Sequence, residues 1–200
     1  MTRLIFTAAL ILGLCACSFE PASAPDVAAG ATNESRTSPA PATRSPAPVT
    51  PAPATPSGKT LTLEGLGALR IGAAVPAGSS WAERGAQIPG GCSTISSPDF
   101  PGTDAIVEGG KVRRITVGER SDVKLVEGIG TGATEAAVRA AFPGFRKEPH
   151  KYIAAPGKYL TAPNAAGGDS ALRFEIGADR KVILIHIGTM PTLGYVEGCA

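Results

Sequence analysis

Aromatic residues make up only 5% of this 200-residue chain, which holds two histidines, four cysteines and a single tryptophan. A core must therefore be assembled largely from Val, Ile, Leu and Ala. Two histidines with no cysteine or acidic residue at ligand spacing do not make a zinc site, so no metal or cofactor is expected. Charge of one sign is scarce as well: 19 Lys and Arg against 17 Asp and Glu leave a net charge of +2. That is far from the clustered basic excess needed to neutralise phosphates along a duplex, and nucleic acid is not an expected partner. The apolar run Leu4 to Leu14 (LIFTAALILGL) is too short for a mature transmembrane helix, which needs about 20 such residues.

What that run does suit is export. One positive charge at Arg3 precedes it, as in a signal peptide. Two processing sites compete. Ala22-Ser23-Ala24 fits the small-x-small site of an ordinary signal peptidase, whereas Leu14-Cys15-Ala16-Cys17 resembles the bacterial lipobox and lies directly against the apolar run. The lipobox resemblance implies that residues 1–16 are a lipoprotein signal peptide and that Cys17 becomes the lipidated first residue of the mature chain. Ser18 in second place, rather than Asp, implies sorting to an outer membrane facing the periplasm. The expected location is thus the cell envelope, with the lipid anchor as the membrane contact.

Proline is abundant but uneven. Of the residues 17–58, most are Pro, Ala, Ser and Thr, as in SPAPATRSPAPVTPAPATPSG, which removes backbone donors and leaves little to bury. This segment reads as a disordered tether, and residues 59–200 as one globular domain. With Cys15 removed and Cys17 acylated, Cys92 and Cys199 remain, and an oxidising compartment predicts a disulfide between them. Cleavage after Ala24 would leave the same two thiols.

The domain repeats itself. Glu64-Gly65-Leu66-Gly67 recurs as Glu127-Gly128-Ile129-Gly130, and Lys111-Val112-Arg113-Arg114-Ile115-Thr116-Val117-Gly118 as Lys181-Val182-Ile183-Leu184-Ile185-His186-Ile187-Gly188. The two halves, about 61–120 and 123–190, are each expected to start with a glycine turn, pass a helix and close with a hairpin. In the second half Thr134 is a good N-cap, Glu135 follows, and Ala137, Val138, Ala141 and Phe142 form an apolar stripe before Pro143. The first-half counterpart, Pro76 to Ala86 with Trp81, is poorer because of Gly78, Ser79 and Gly85. Hairpins are expected from Ile106 to Val117 around Gly109-Gly110, and from Leu172 to Ile187 around Gly177 to Arg180. The fold class is thus predicted as α+β: two tandem helix-plus-antiparallel-hairpin repeats forming one sheet, with helices packed on one face. Strand parity puts Ile115, Val117, Ile183, Ile185 and Ile187 toward the helices. It leaves Arg114, Thr116, Leu184 and His186 on the other face, available to grip a partner.

This arrangement resembles the beta-lactamase inhibitor protein fold and the smaller outer-membrane assembly lipoproteins of the SmpA/OmlA type, over roughly Leu61 to Pro191. The resemblance implies a non-enzymatic, protein-binding domain whose partner is an envelope or extracellular protein, with a structural part in outer-membrane assembly as the alternative. It departs from the inhibitors in its cysteines, since Cys92 to Cys199 would tie the first half to the C-terminus.

Motifs of catalysis are imitated rather than present. Ser57-Gly58-Lys59-Thr60 lacks the first glycine of a phosphate-binding loop, where Pro53 stands. Gly128-Ile129-Gly130-Thr131-Gly132-Ala133 copies a dinucleotide fingerprint, but no alternating parallel strands and helices follow it. His150 is expected in a solvated turn with Glu148 and Tyr152 nearby, and His186 within an apolar strand. No catalytic residue and no small-molecule substrate is predicted.

Overall fold

The computed structural model describes residues 58–85, 87 and 90–199. The expected signal peptide, Cys17 and all but the last residue of the expected tether lie outside the described residues. The chain forms β1 (Thr60–Thr62), β2 (Gly65–Leu66), β3 (Leu69–Arg70), β4 (Ala82–Glu83), β5 (Cys92–Ser96), β6 (Thr103–Glu108), β7 (Lys111–Val117) and β8 (Lys124–Leu125). Then come α1 (Glu135–Ala141), β9 (Arg146–Pro149), β10 (Lys158–Thr161), β11 (Ala171–Ile176) and β12 (Val182–Gly188).

The expected α+β class is overturned. The protein is mostly β, with one α-helix among the described residues and two sheets rather than one. Eight strands form the large sheet in the order β4-β5-β6-β7-β12-β11-β10-β9, and a small sheet runs β3-β2-β1-β8. What the sequence repeat encodes is strands. Each half supplies four neighbouring strands of the large sheet, and the two closing strands β7 and β12 meet antiparallel at its centre. The two glycine-turn starts pair with each other: Leu61 of β1 lies beside Leu125 of β8 in a parallel ladder.

The second-half helix forms as its signals require. The Thr134 side chain accepts from the Ala137 N–H, and Glu135 is held by Lys158 Nζ at 2.8 and 2.9 Å, which ties the helix start to β10. No first-half helix exists among the described residues. Gly78 and Gly85 take φ of +71° and +75°, in the left-handed region that a right-handed helix excludes, and Ser79 closes a turn onto the Pro76 carbonyl. Trp81 is nevertheless a core residue, stacked on Phe100 with ring centroids 5.6 Å apart.

One core lies between the large sheet and the layer on it. Leu61, Leu66, Leu69 and Leu125 of the small sheet, with Val138 of the helix, pack with Ile115, Val117, Phe174, Ile185 and Ile187. Strict alternation fails at one point in each closing strand. Register shifts leave Arg113 of β7 and Ile183 of β12 as extra residues, so Val112 and Val182 enter the core and Ile183 stays part-exposed. The bulges fall at the same repeat position, Lys-Val-x. The two valines are also gripped alike: Val112 exchanges backbone bonds with Gly72 and Ala73, and Val182 with Gly132 and Ala133, at 2.7 to 2.8 Å. The Gly132 N–H and the Ala133 carbonyl are thereby used in strand-like pairing, so this part of the glycine stretch is no phosphate cradle.

Gly65 is a position where no side chain fits. Its φ is +149°, and a Cβ there would stand 1.9 Å from the Leu69 carbonyl oxygen across the β2–β3 turn. Gly65→Ala is expected to destabilise the domain by more than about 1 kcal/mol, read by urea unfolding. A cost below a few tenths would show that the small sheet shifts freely.

Candidate functional site

The face of the large sheet away from the core is polar in every strand of its central part. Ser96, Asp104, Thr116, His186, Arg173 and Thr161 stand in one register row across β5, β6, β7, β12, β11 and β10. A neighbouring row runs Leu184, Glu175, Tyr159, Glu148. Of these, Glu148 was expected only beside His150, and Ser96, Thr161, Asp104, Tyr159, Arg173 and Glu175 were not foreseen. The signal was there for the last two: in Leu172-Arg173-Phe174-Glu175-Ile176 the charged residues alternate with core residues, which places them on the face opposite the core.

The centre of this face is sealed. Glu175 receives both histidines, with His186 Nε2 at 3.0 Å from one carboxylate oxygen and His150 Nε2 at 2.9 Å from the other. His150 Nδ1 accepts the backbone N–H groups of Tyr152 and Ile153 at 3.1 Å, so the ring proton sits on Nε2 and is donated to Glu175. His186 Nδ1 meets the Thr116 hydroxyl at 3.0 Å. The His150 ring stacks on Tyr159 at 4.6 Å, and the Arg173 guanidinium lies 4.0 Å from the same phenol ring's centre. The solvated turn expected around His150 is corrected, because its side chain is only 5% exposed.

Electrostatics follow the burial. Desolvation holds the His186 imidazole below its usual range, against the pull of Glu175 and with the push of Arg114 and Arg173. Burial pushes the Glu175 carboxyl up, but the hydrogen bonds from His186 and His150 outweigh it, and the net shift is downward. The pair is therefore a carboxylate beside a neutral imidazole. The order hydroxyl, imidazole, carboxylate through Thr116, His186 and Glu175 is that of a nucleophile relay. The hydroxyl is covered, however: Thr116 and His186 are 5% and 3% exposed. The chain of bonds acts as an internal cross-link between β7, β12, β11 and the His150 loop.

The cover is the C-terminal segment after β12. Arg114 Nη1 donates to the carbonyls of Thr192 and Tyr195, Thr192 Oγ1 donates to Glu108, and Leu193 is buried. Lys151 and Tyr152 both hold Glu197. The Cys92–Cys199 disulfide, predicted from the sequence, locks the end of this strap to β5. The expected free face is corrected accordingly: Arg114, Thr116 and His186 are at most 5% exposed, Arg114 bonded to the strap and Thr116 and His186 bonded within the row. Only Leu184 of the four borders open space.

That space is a groove of about 870 Å³ at the end of the face that the strap leaves open. Ser96, Ser97, Asp104 and Leu184 border it together with Pro98 and Phe100, and Arg84, Glu119 and Arg120 also line it. Burial raises the Asp104 carboxyl above its usual range, opposed by Arg114. The chain matches no family model, no curated protein and no solved structure. Among the described residues no three His, Cys, Asp or Glu side chains are placed to hold a metal ion, and no helix is long and apolar enough to cross a membrane. A second, apolar cavity of about 420 Å³ lies under the tips of the small sheet, near the exposed Leu63 and Val126.

Proposed function

We propose that the chain is an exported lipoprotein of the cell envelope, anchored through Cys17, whose globular domain is a non-enzymatic module that binds another envelope or extracellular protein. The observation that carries the binding reading is the groove beside Leu184. The strap and its disulfide tie down the Arg114 end of the polar face, whereas this end is left open, with apolar Pro98, Phe100 and Leu184 beside polar Ser96, Ser97 and Asp104. Such mixed, concave lining suits the inserted loop of a partner. The disulfide supports export to an oxidising compartment, and the lipobox supports the anchor.

Replacing Leu184 by a photo-reactive phenylalanine analogue in the intact chain is expected to yield one discrete protein adduct in the envelope. The same analogue at the exposed Asp169 serves as the control. Equal labelling from both positions, or none from 184, would remove the groove as the contact surface. Labelling with radioactive palmitate, lost in Cys17→Ser, tests the anchor independently.

A further inference from the structure

We infer that the groove is a receptor for a cationic side chain, a lysine or arginine of the bound protein, with the Asp104 carboxylate as its counter-ion. This rests on the protein-binding reading and names the chemistry of the contact.

Four carboxylates stand on the polar face, and three are satisfied within the chain. Glu175 takes two imidazoles, Glu108 takes the Thr192 hydroxyl, and Glu148 takes the Thr161 hydroxyl and lies 3.6 Å from Arg173. Asp104 is different. It accepts no hydrogen bond from any described residue, although it is part-buried and borders the groove. Its cationic neighbour Arg114 donates Nη1 to the strap carbonyls of Thr192 and Tyr195, has no hydrogen-bond partner among the described residues at its buried Nε, and acts on Asp104 only through space. A part-buried carboxylate without a donor is costly, and a charge-assisted hydrogen bond from a ligand relieves that cost.

The surroundings select the form of the donor. Pro98, Phe100 and Leu184 offer apolar surface to an aliphatic stem, so a lysine or arginine matches better than a small ammonium ion. The charged groups that face Asp104 besides Arg114 are those of the groove lining. Arg84 is held by the carbonyls of Ser80 and Ser96, and Glu119 and Arg120, neighbours in the chain, also line the groove. In the register row, Thr116 separates Asp104 from the neutral His186. A cation at Asp104 favours the ionised carboxyl, which burial disfavours, so binding weakens as pH falls and Asp104 takes up its proton.

The test is a titration of the whole chain, followed by amide chemical shifts, with three probes: N-acetyl-lysine, N-acetyl-arginine and N-acetyl-norleucine methylamides. The lysine and arginine probes are expected to saturate shifts at Ser96, Asp104 and Leu184. Norleucine, which keeps the stem without the charge, should bind at least about tenfold more weakly. Asp104→Asn should lose at least about tenfold for both cations and flatten the acid fall-off. Norleucine binding as well as lysine, or full cation binding by Asp104→Asn, overturns the inference. If the adduct from position 184 persists in Asp104→Asn while the cations fail to bind, the cation assignment falls and the protein-binding reading stands. If no adduct forms from position 184 in the parent chain, the protein-binding reading falls whatever the probes do.

Discussion

Replacing Cys92 and Cys199 together by alanine is expected to cost about 4–5 kcal/mol of stability, in the range set by chain entropy for a closed loop of about 100 residues. The bridge joins β5, near one edge of the large sheet, to the end of the strap across a sequence separation of 107, with Cα atoms 5.6 Å apart. Few contacts replace it. The strap keeps Leu193 in its satellite core and the Arg114 bonds to Thr192 and Tyr195. Its last residues keep only Glu197, held by Lys151 and Tyr152 at the surface, and exposed ion pairs contribute little. Two signatures are therefore expected. Urea unfolding shifts by the full amount, and native-state hydrogen exchange accelerates first beyond Tyr195, later around Thr192, and last at Thr116 and His186. A loss below about 1 kcal/mol, or uniform acceleration, would show that the strap is held by its own packing rather than by the bridge.

Glu175→Ala is expected to cost about 2–6 kcal/mol, because it strands two buried imidazole N–H groups at about 1–3 kcal/mol each. Glu175→Gln should cost less, for a reason that lies in the two rings. The Gln carbonyl can still accept from His150, whose tautomer is set by the Tyr152 and Ile153 N–H groups. His186 can then shift its proton to Nδ1, where the Thr116 hydroxyl accepts it, and take a bond from the Gln amide at Nε2. If alanine and glutamine cost the same, or alanine costs under about 1 kcal/mol, the network is not what holds this face together.

The same residues set the acid limb of stability. His186 is depressed in the folded state, so its contribution is complete above the free imidazole value of about 6.5 and is lost as pH falls through the lower folded value. Glu175 is also depressed, so its contribution holds above about 4.3 and is lost as pH falls through its folded value. Asp104 has the opposite sign: raised in the folded state, it is most favourable below about 3.9 and loses that contribution as pH rises through its folded value. Stability measured in urea should therefore begin to decline below about pH 6.5 and fall further in the carboxylate range, with Asp104 blunting that second fall. A flat profile between pH 7.5 and 5 would count against a neutral, buried His186.

Local elements were readable because short-range chemistry decides them. Thr134 caps the helix, Gly109-Gly110 turns a hairpin, and the Lys-Val-x-x-Ile repeat marks two matching strands. The bulges were not readable, since one extra residue swaps Val182 for Ile183 in the core without altering composition. In the first half Gly78 and Gly85 take positive φ, which overrides the helix that Pro76 would start. In the site, Leu184 was placed on the correct face, and so were Arg114, Thr116 and His186, but their exposure was misjudged. Parity assigns a face and says nothing of what covers it.

By itself, then, the sequence determined the strand repeat, the capped helix, the alternation that sets charged residues opposite the core, and the Cys92–Cys199 pairing. Each follows from propensity, period or the count of thiols. Tertiary structure alone decided that the two repeat starts pair in parallel as a second sheet, that Glu175 meets two histidines 25 and 11 residues away, and that the strap closes over Arg114. Those contacts join distant segments, so they are selected by the fit of whole surfaces rather than by any local pattern. The open groove beside Asp104 is what that fit leaves uncovered.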